Sequence, residues 1–362
     1  MEKTLTAKTS KAPATSLEQS RYPDLLAAID MGSNSFRLEI GQLSKGRYKR
    51  IEYLKETVRL GGGLDSHGML TEEATQRGLA CLAQFAQRLK GFASWQVRAV
   101  ATQTLREARN RDAFLQRADR VLGHRIEVIA GREEARLIYL GVSRLQPSEL
   151  PRLVIDIGGR STEMILGHGR TPIRKESFGV GSVSLSMQHF PKGQYTAENF
   201  RAAQIAAGAE LEEALTLFER SQWQEALGSS GTVGAVSQIL AANGITDGSI
   251  TPEALRWCME RCIEAGSAEL LSLPGLKPER KPVLAGGLCI LYTLASHFDI
   301  EALRPAKGAL RQGVIFDLDE RVEAARNHRL LDPRDTSVRE LQQRFRVDTT
   351  QAQRVRQRAL SL

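Results

Sequence analysis

Two short loops carry the residues best suited to chemistry. Asp30-Met31-Gly32-Ser33-Asn34-Ser35 closes the apolar stretch that begins at Leu25, and Asp156-Ile157-Gly158-Gly159-Arg160-Ser161 closes the one that begins at Leu153. Aligned without a gap, 126 residues apart, the two share Asp, Gly and Ser at the same spacing. Each hairpin then reaches a closing glycine, Gly41 or Gly167. A turn of Gly and Ser between strands exposes several backbone N–H groups on one side, and such a concavity binds anions because nothing bulky blocks the approach. Ser35 and Ser161 can add hydroxyl donors. Asp30 and Asp156 sit at strand ends, where a carboxylate can hold Mg2+ directly or through water. Glu163 lies seven residues after Asp156, across the hairpin turn, so the two can share one metal or one water. For either Asp the competing reading is a turn bond to the backbone. A third small-residue loop, Gly228-Ser229-Ser230-Gly231-Thr232, leads into a helix whose N-terminus adds positive potential. One Gly-rich loop is weak evidence. Two gap-free copies and a third of like composition point to phosphate.

Two more positions stand outside the loops. Glu134, in Gly131-Arg132-Glu133-Glu134-Ala135-Arg136, opens a helix, where adjacent carboxylates ordinarily serve the helix dipole. Arg106, in Thr102-Gln103-Thr104-Leu105-Arg106, reads either as surface charge or as a bidentate phosphate clamp.

The elements that must position these residues follow from the apolar pattern. Strands are expected at Leu25 to Asp30, Phe36 to Leu43, Arg47 to Leu54, Gln96 to Ala101, Ile126 to Ile129, Leu153 to Asp156 and Glu163 to Leu166. Helices are expected from Thr71 to about Leu89, at Thr104 to Leu122 and Gly131 to Leu140, and again at Ala197 to Arg220 and Val233 to Ala242. Another starts at Thr251-Pro252, Leu284-Ala285-Gly286-Gly287 leads into one from Leu288 to Ser296, and the Arg-rich stretch from Arg321 to Arg358 reads as solvated helices. The repeat distance far exceeds solenoid periods and predicts two domains of one design.

The motifs resemble those of the exopolyphosphatase / guanosine pentaphosphate phosphohydrolase family. Asp30-x-Gly-Ser-Asn-Ser-Phe, Thr104-Leu-Arg, Glu133-Glu-Ala-Arg, Asp156-Ile-Gly-Gly-x-Ser-Thr-Glu163 and Gly228-x-Ser-Gly-Thr occur in the family's order. Ser272-Leu-Pro-Gly and Gly308-Ala-Leu-Arg-x-Gly also match, so the likeness covers roughly Leu25 to Leu318. It implies an α/β fold of two actin-like (ribonuclease H-like) lobes, with mixed sheets flanked by helices and a cleft between them. The expected division is a disordered tail at 1–22, lobe I at 23–138, lobe II at 139–318, and the start of an HD-like helical region at 319–362.

The resemblance also implies roles. Glu134 matches the general base, Asp156 and Glu163 match carboxylates that support Mg2+, and Arg106 matches an arginine that holds the terminal phosphate. Asp30, Gly32, Ser33, Asn34, Ser35, Gly158, Gly159, Ser161, Ser230, Gly231 and Thr232 fall at phosphate-facing loop positions, and Arg280 matches a basic residue near the cleft. The implied reaction removes terminal phosphate from inorganic polyphosphate, guanosine pentaphosphate, or both. Two features depart from the family. Arg160 stands where a third glycine is usual; it can add a phosphate contact, block the approach of phosphate, or strain the loop if the position needs positive φ. The chain also stops at Leu362, at what reads as the first helices of the further domain, and either a truncated form or a short member is expected.

Bulk composition sets the frame. The 362 residues, 41% hydrophobic and 25% charged, are enough for two ordinary domains. A net charge of +8 favours an anionic partner. No stretch approaches a membrane span, the N-terminus lacks the apolar core of a signal peptide, and a cytoplasmic protein is expected. The four cysteines, Cys81, Cys258, Cys262 and Cys289, lack ligand spacing and read as buried thiols. Nucleic acid is not an expected partner, and a homodimer is. Two other functions remain open: a kinase or ATP-driven chaperone, for which Leu284-Ala-Gly-Gly-Leu288 faintly resembles an adenosine pocket, and a non-catalytic binder of polyphosphate or guanosine alarmones. Glu133-Glu134-Ala-Arg136 favours the hydrolase.

Overall fold

The chain folds as the same sheet made twice. The computed structural model describes residues 20–44, 46–326, 338 and 341–360. The first sheet holds β1 (Leu25–Met31), β2 (Phe36–Ser44), β3 (Arg47–Glu56), β4 (Val97–Ala101) and β5 (Ile126–Val128), in the order β3-β2-β1-β4-β5. The second holds β6 (Arg152–Ile157), β7 (Thr162–His168), β8 (Thr171–Phe178), β9 (Glu225–Ser229) and β10 (Arg304–Pro305), in the order β8-β7-β6-β9-β10. In each, the first three strands pair antiparallel and the last two add in parallel. The sequence repeat is therefore a repeat of topology, with β6 standing where β1 stands. Both strands are buried along almost their whole length, which is why they read as unbroken apolar runs.

The helices are α1 (Glu72–Arg88), α2 (Gln103–Glu107), α3 (Arg111–Leu122), α4 (Gly131–Leu145), α5 (Ser182–His189) and α6 (Ala197–Glu210). They continue with α7 (Glu212–Leu217), α8 (Ser230–Ala242), α9 (Pro252–Ala265), α10 (Lys281–His297), α11 (Leu310–Arg326) and α12 (Thr349–Leu360). Thr71 and Thr251 cap α1 and α9, each accepting a bond from the N–H three residues on, as their types predict.

Several expectations need correction. The single helix from Thr104 to Leu122 is two, α2 and α3, because Asn110 at the break bonds both the N–H and the carbonyl of Leu70 (2.9 and 3.0 Å). The stretch from Ala197 to Arg220 likewise divides into α6 and α7. Strand β8 and helix α5 were not foreseen. The third loop is shorter than expected, since Gly228 and Ser229 end β9 and α8 starts at Ser230. Leu284 to Gly287 lie inside α10, where Gly286 packs against α5 and its N–H bonds Ser186 Oγ at 3.0 Å. That glycine pair serves close packing, Gly286 against Ser182 and Ser186 and Gly287 against Thr232. Gly41 and Gly167 do not end their strands. Each sits at a register shift in its sheet, with the ring of Tyr48 or Tyr139 lying where its side chain would be.

One core lies where α1 and α3 cover the first sheet, a second where α6, α8, α9 and α10 cover the second, and a third between the sheets. Helices α4 and α11 fill that third core and touch backbone to backbone: a Cβ at Gly141 would collide with the Ala309 carbonyl, and one at Gly313 with the Leu137 carbonyl. Helix α4 runs unbroken through 138–139, where the sequence divided the lobes, and α11 through 318–319. Residues 1–19 of the expected tail lie outside the described residues. The four cysteines are buried and free, and burial raises the thiols of Cys258 and Cys262 to about 12. Among the described residues no helix is long and apolar enough to cross a membrane.

Candidate active site

The two hairpin loops face one another across a cavity of about 340 Å³. Asp30, Gly32, Ser33, Asn34, Ser35 and Glu134 line it from the first half of the chain. Asp156, Gly158, Gly159, Ser161, Ser230, Gly231, Thr232 and Arg280 line it from the second. Residues separated by up to 250 positions in the sequence thus meet in one cleft.

The sheet register explains the aim of the carboxylates. Asp156 is directly opposite Glu163 across β6 and β7, and opposed residues of an antiparallel pair point to the same face. Asp30 occupies the matching place in the first sheet, but its opposite residue is Arg37, whose Nη1 donates to Asp30 Oδ2 at 3.0 Å. The repeat therefore breaks at one position: a cation in the first hairpin, a carboxyl in the second. Arg37 lines the cleft and was missed from sequence, although it is the seventh residue after Asp30, as Glu163 is after Asp156.

Arg106 and Glu163 sit just behind the lining. Arg106 Nη1 donates to Glu134 Oε2 (2.8 Å) and to the Ile129 carbonyl (2.9 Å). Its Nη2 is buried with no hydrogen-bond partner, 4.0 Å from Glu163 Oε1. Glu163, 1% exposed, accepts a bond from Ser177 Oγ at 2.8 Å. The two potential hydroxyl donors differ. Ser35 Oγ is buried without a partner, whereas Ser161 lies beside Glu163 and partly offsets the upward shift of that carboxyl. In the third loop, Ser230 Oγ and Thr232 Oγ1 both donate to the Ile157 carbonyl (2.7 and 3.0 Å). These bonds tie the start of α8 to the second loop. The first-turn N–H groups of α8 have no partner within the helix, so they are the donors this end can offer. The Arg280 guanidinium lies over Gly231, where any side chain would collide with it. Ser230 itself has φ 77°, a strained conformation for a residue with a Cβ.

Like charges crowd the cleft in both signs. Burial raises the Glu134 carboxyl to about 7; Arg106 opposes this, and Asp156 and Asp30 add to it. Burial raises Asp156 to about 6, against the Ser229 hydroxyl and Arg37. Glu163 is pushed well up by burial and by the charges of Glu134 and Asp156. On the cationic side, burial and the neighbours Arg280 and Arg37 pull Lys55 down to about 8, and burial followed by Arg37 lowers Arg280. Such cations gain most from an added anion, and such carboxyls from an added cation.

Arg311, the arginine of Gly308-Ala-Leu-Arg-x-Gly, is a further cleft cation. Its Nη1 lies 3.5 Å from Asp30 Oδ2, and its guanidinium rests over the ring of Tyr53 at 5.1 Å. Fully buried Glu39 holds it, accepting from Arg311 Nε at 3.2 Å, from Gln312 Nε2 and from the Tyr48 hydroxyl.

Arg160 is placed differently from the expectation. It does not line the cavity; its guanidinium leaves the cleft and pairs with Glu107 on α2. Its φ is not positive, so its loop needs no glycine there on conformational grounds. Among the described residues, no group of three or more His, Cys, Asp or Glu side chains is arranged to hold a metal ion by itself.

Comparison with known proteins identifies the fold and the family. The Ppx/GppA phosphatase family matches residues 40–322. A Haemophilus influenzae protein that carries the name exopolyphosphatase is 41% identical over 300 residues, covering 83% of this chain and 93% of that one. A Guanosine-5'-triphosphate,3'-diphosphate pyrophosphatase of Pseudoalteromonas atlantica is 39% identical over 349 residues, covering 96% of this chain and 68% of that one. Among solved structures, the Aquifex aeolicus member of the Ppx/GppA family superposes with a TM-score of 0.67 at 25% identity, over 83% of this chain and 98% of that chain. The repeated sheets are thus the two lobes of that actin-like fold, and the chain belongs to the Ppx/GppA phosphatase family.

Proposed function

We propose that this phosphoanhydride hydrolase removes the terminal phosphate of inorganic polyphosphate, and by the same site converts guanosine pentaphosphate to the tetraphosphate. One observation carries the reading: Glu134, a buried carboxyl raised to about 7, is held by Arg106 at 2.8 Å on the wall of a cleft lined by three small-residue loops. A base whose pKa lies near the working pH is well matched to proton transfer. The names carried by the Haemophilus and Pseudoalteromonas relatives support the two substrates.

The chemistry follows from positions. The loops and Ser35 Oγ hold the terminal phosphate, and the open Nη2 of Arg106 is a donor ready for one of its oxygens. Glu134 orients a water and takes its proton as the water oxygen bonds to the terminal phosphorus. The phosphoanhydride bond then breaks, its electron pair leaves with the shortened chain, and orthophosphate is released. Arg37, Arg280, Arg311 and Lys55 meet the charge of the phosphates that follow. Most of the catalysis is positioning and charge stabilisation.

Mg2+ fits the donor set. Asp156 and Glu163 are opposed, buried oxygen donors, each held above the ordinary carboxylate range by burial. Two carboxylates are too few for a closed cage, which suits an ion usually shared between one or two carboxylates, water and substrate phosphates. Bound there, Mg2+ would supply charge neutralisation for phosphate oxygens. The outward course of Arg160 leaves the cleft lining to the other loop residues, which supports the catalytic reading over a non-catalytic binder.

The test is phosphate release from long-chain polyphosphate and, in parallel, from guanosine pentaphosphate, with Mg2+. Glu134→Gln should lower turnover by about a hundredfold or more while polyphosphate is still retained on a filter. Undiminished release by that variant would remove Glu134 as the base. Phosphate transfer to an acceptor other than water would favour a kinase.

A further inference from the structure

Arg160 leaves the second phosphate loop, crosses to the first lobe and grips it at two places. Nε and Nη2 reach Glu107 Oε2 at 2.8 and 2.7 Å, and Nη1 donates to the Gly61 carbonyl at 3.2 Å. Both contacts lead back to the cleft. Gly61 donates its N–H to the Ser33 carbonyl at 2.8 Å, and the nearby Arg59 N–H donates to the Asn34 carbonyl at 2.9 Å, so this segment braces the first phosphate loop. Glu107 ends α2. Its other oxygen accepts from Gln103 Nε2 at 2.7 Å, Gln103 Oε1 accepts from Arg106 Nε at 2.8 Å, and Arg106 holds Glu134. A continuous chain of hydrogen bonds thus runs from Arg160 through Glu107, Gln103 and Arg106 to Glu134.

We propose that Arg160 is a positioning residue: it latches the second lobe to the first and, through Glu107 and Gln103, sets the orientation of Arg106 against Glu134. The geometry gives this arginine a task that a glycine could not perform. The kinetic part of the proposal rests on the hydrolase reading; the latch itself does not. Because the ion pair is only partly exposed, at 21% and 32%, each half is expected to matter to a modest but measurable degree.

Arg160→Met keeps the side-chain length and the loop's stiffness, and Glu107→Gln tests the same contact from the other lobe without touching a phosphate loop. Each should lower kcat/KM for polyphosphate about three- to fivefold. The double variant should be no worse than Arg160→Met alone, because Glu107→Gln breaks a contact that Arg160→Met has already removed. A loosened Arg106 favours the charged form of Glu134 less well, so the acid limb of the pH profile should move to higher pH in both. Arg160→Lys, which can still reach one oxygen, should recover part of the loss. Additive losses, or an unmoved acid limb, would overturn the relay. The latch is tested without substrate by spin labels at Gln116→Cys and Glu260→Cys, exposed positions on α3 and α9. The distance distribution should broaden in Glu107→Gln, and an unchanged distribution would overturn the latch whatever the activity assay shows.

Discussion

At the scale of single residues, the cleft depends on carboxyls held away from their usual charge state. Glu134 is raised to about 7 and Asp156 to about 6, burial being the main cause in both. Glu134 must be deprotonated to accept a proton from water, and Asp156 must be charged to support a cation. Rate should therefore climb as pH rises through the range from about 6 to about 7 and level off above it. Below the lower value two groups are protonated, so the profile should fall more steeply than a single proton would give. A kcat/KM profile that is flat from about pH 5 to about pH 8 would exclude Glu134 as the base. Much of this constellation was legible in sequence, but unevenly. The loop residues could be read because they recur with the same spacing. Glu134 could not be separated from an ordinary helix-opening glutamate by pattern alone, since its partner Arg106 is 28 residues away and only the fold brings them to 2.8 Å. Arg37 lay in plain sight at the position of the repeat where the two copies differ, and a difference between copies carries as much information as their agreement.

At the scale of elements, α4 and α11 set the relation between the halves of the site. Helix α4 opens with Glu134, α11 opens beside Arg311, and the two meet through Gly141, Gly308 and Gly313 with no side chain between them. The atoms that a new Cβ would meet are backbone carbonyls and N–H groups, which no rotamer change can move aside. Gly313→Ala is expected to cost about 1–3 kcal/mol or more in chemical denaturation, and to reduce turnover by displacing Arg311 relative to Glu134. Stability equal to the parent protein would show that the helices can separate freely, which would count against this contact as the spacer of the cleft. The close approach is invisible in sequence, because a glycine in a helical pattern looks like a weak point until its neighbour is known. The closing glycines Gly41 and Gly167 were seen but misread for the same reason: their cause is a tyrosine ring packed from elsewhere. Strand order was more legible, since two equal hairpins at a fixed interval already require two equal sheets.

At the scale of the whole molecule, the fold carries charges that its own residues do not balance. Three buried carboxyls, Glu134, Asp156 and Glu163, have pKa values above their ordinary range, and the Asp156 and Glu134 shifts are each worth on the order of 3 kcal/mol. The sign follows from linkage. A carboxyl whose folded pKa lies above its unfolded value contributes stability below the unfolded value, and that contribution is lost as pH rises through the folded value. For Asp156 and Glu134 the window runs from the ordinary values of 3.8 and 4.5 up to about 6 and about 7, and Glu163 is shifted in the same direction. Carboxyls paired at the surface, such as Glu72, are lowered to about 2 by Arg117 and Gln76 and have finished titrating before the window opens. Without ligands, Tm should therefore fall as pH rises from about 5 to about 8. Mg2+ offered together with polyphosphate should raise Tm at both ends of that range, and more at the upper end, where the carboxyls have lost their protons and the cation replaces them. Chelation by EDTA should cancel that difference. A Tm that climbs with pH across the window, or a ligand effect larger at about pH 5, would mean that the carboxyls are balanced from within, and the case for a cation between Asp156 and Glu163 would fall with it.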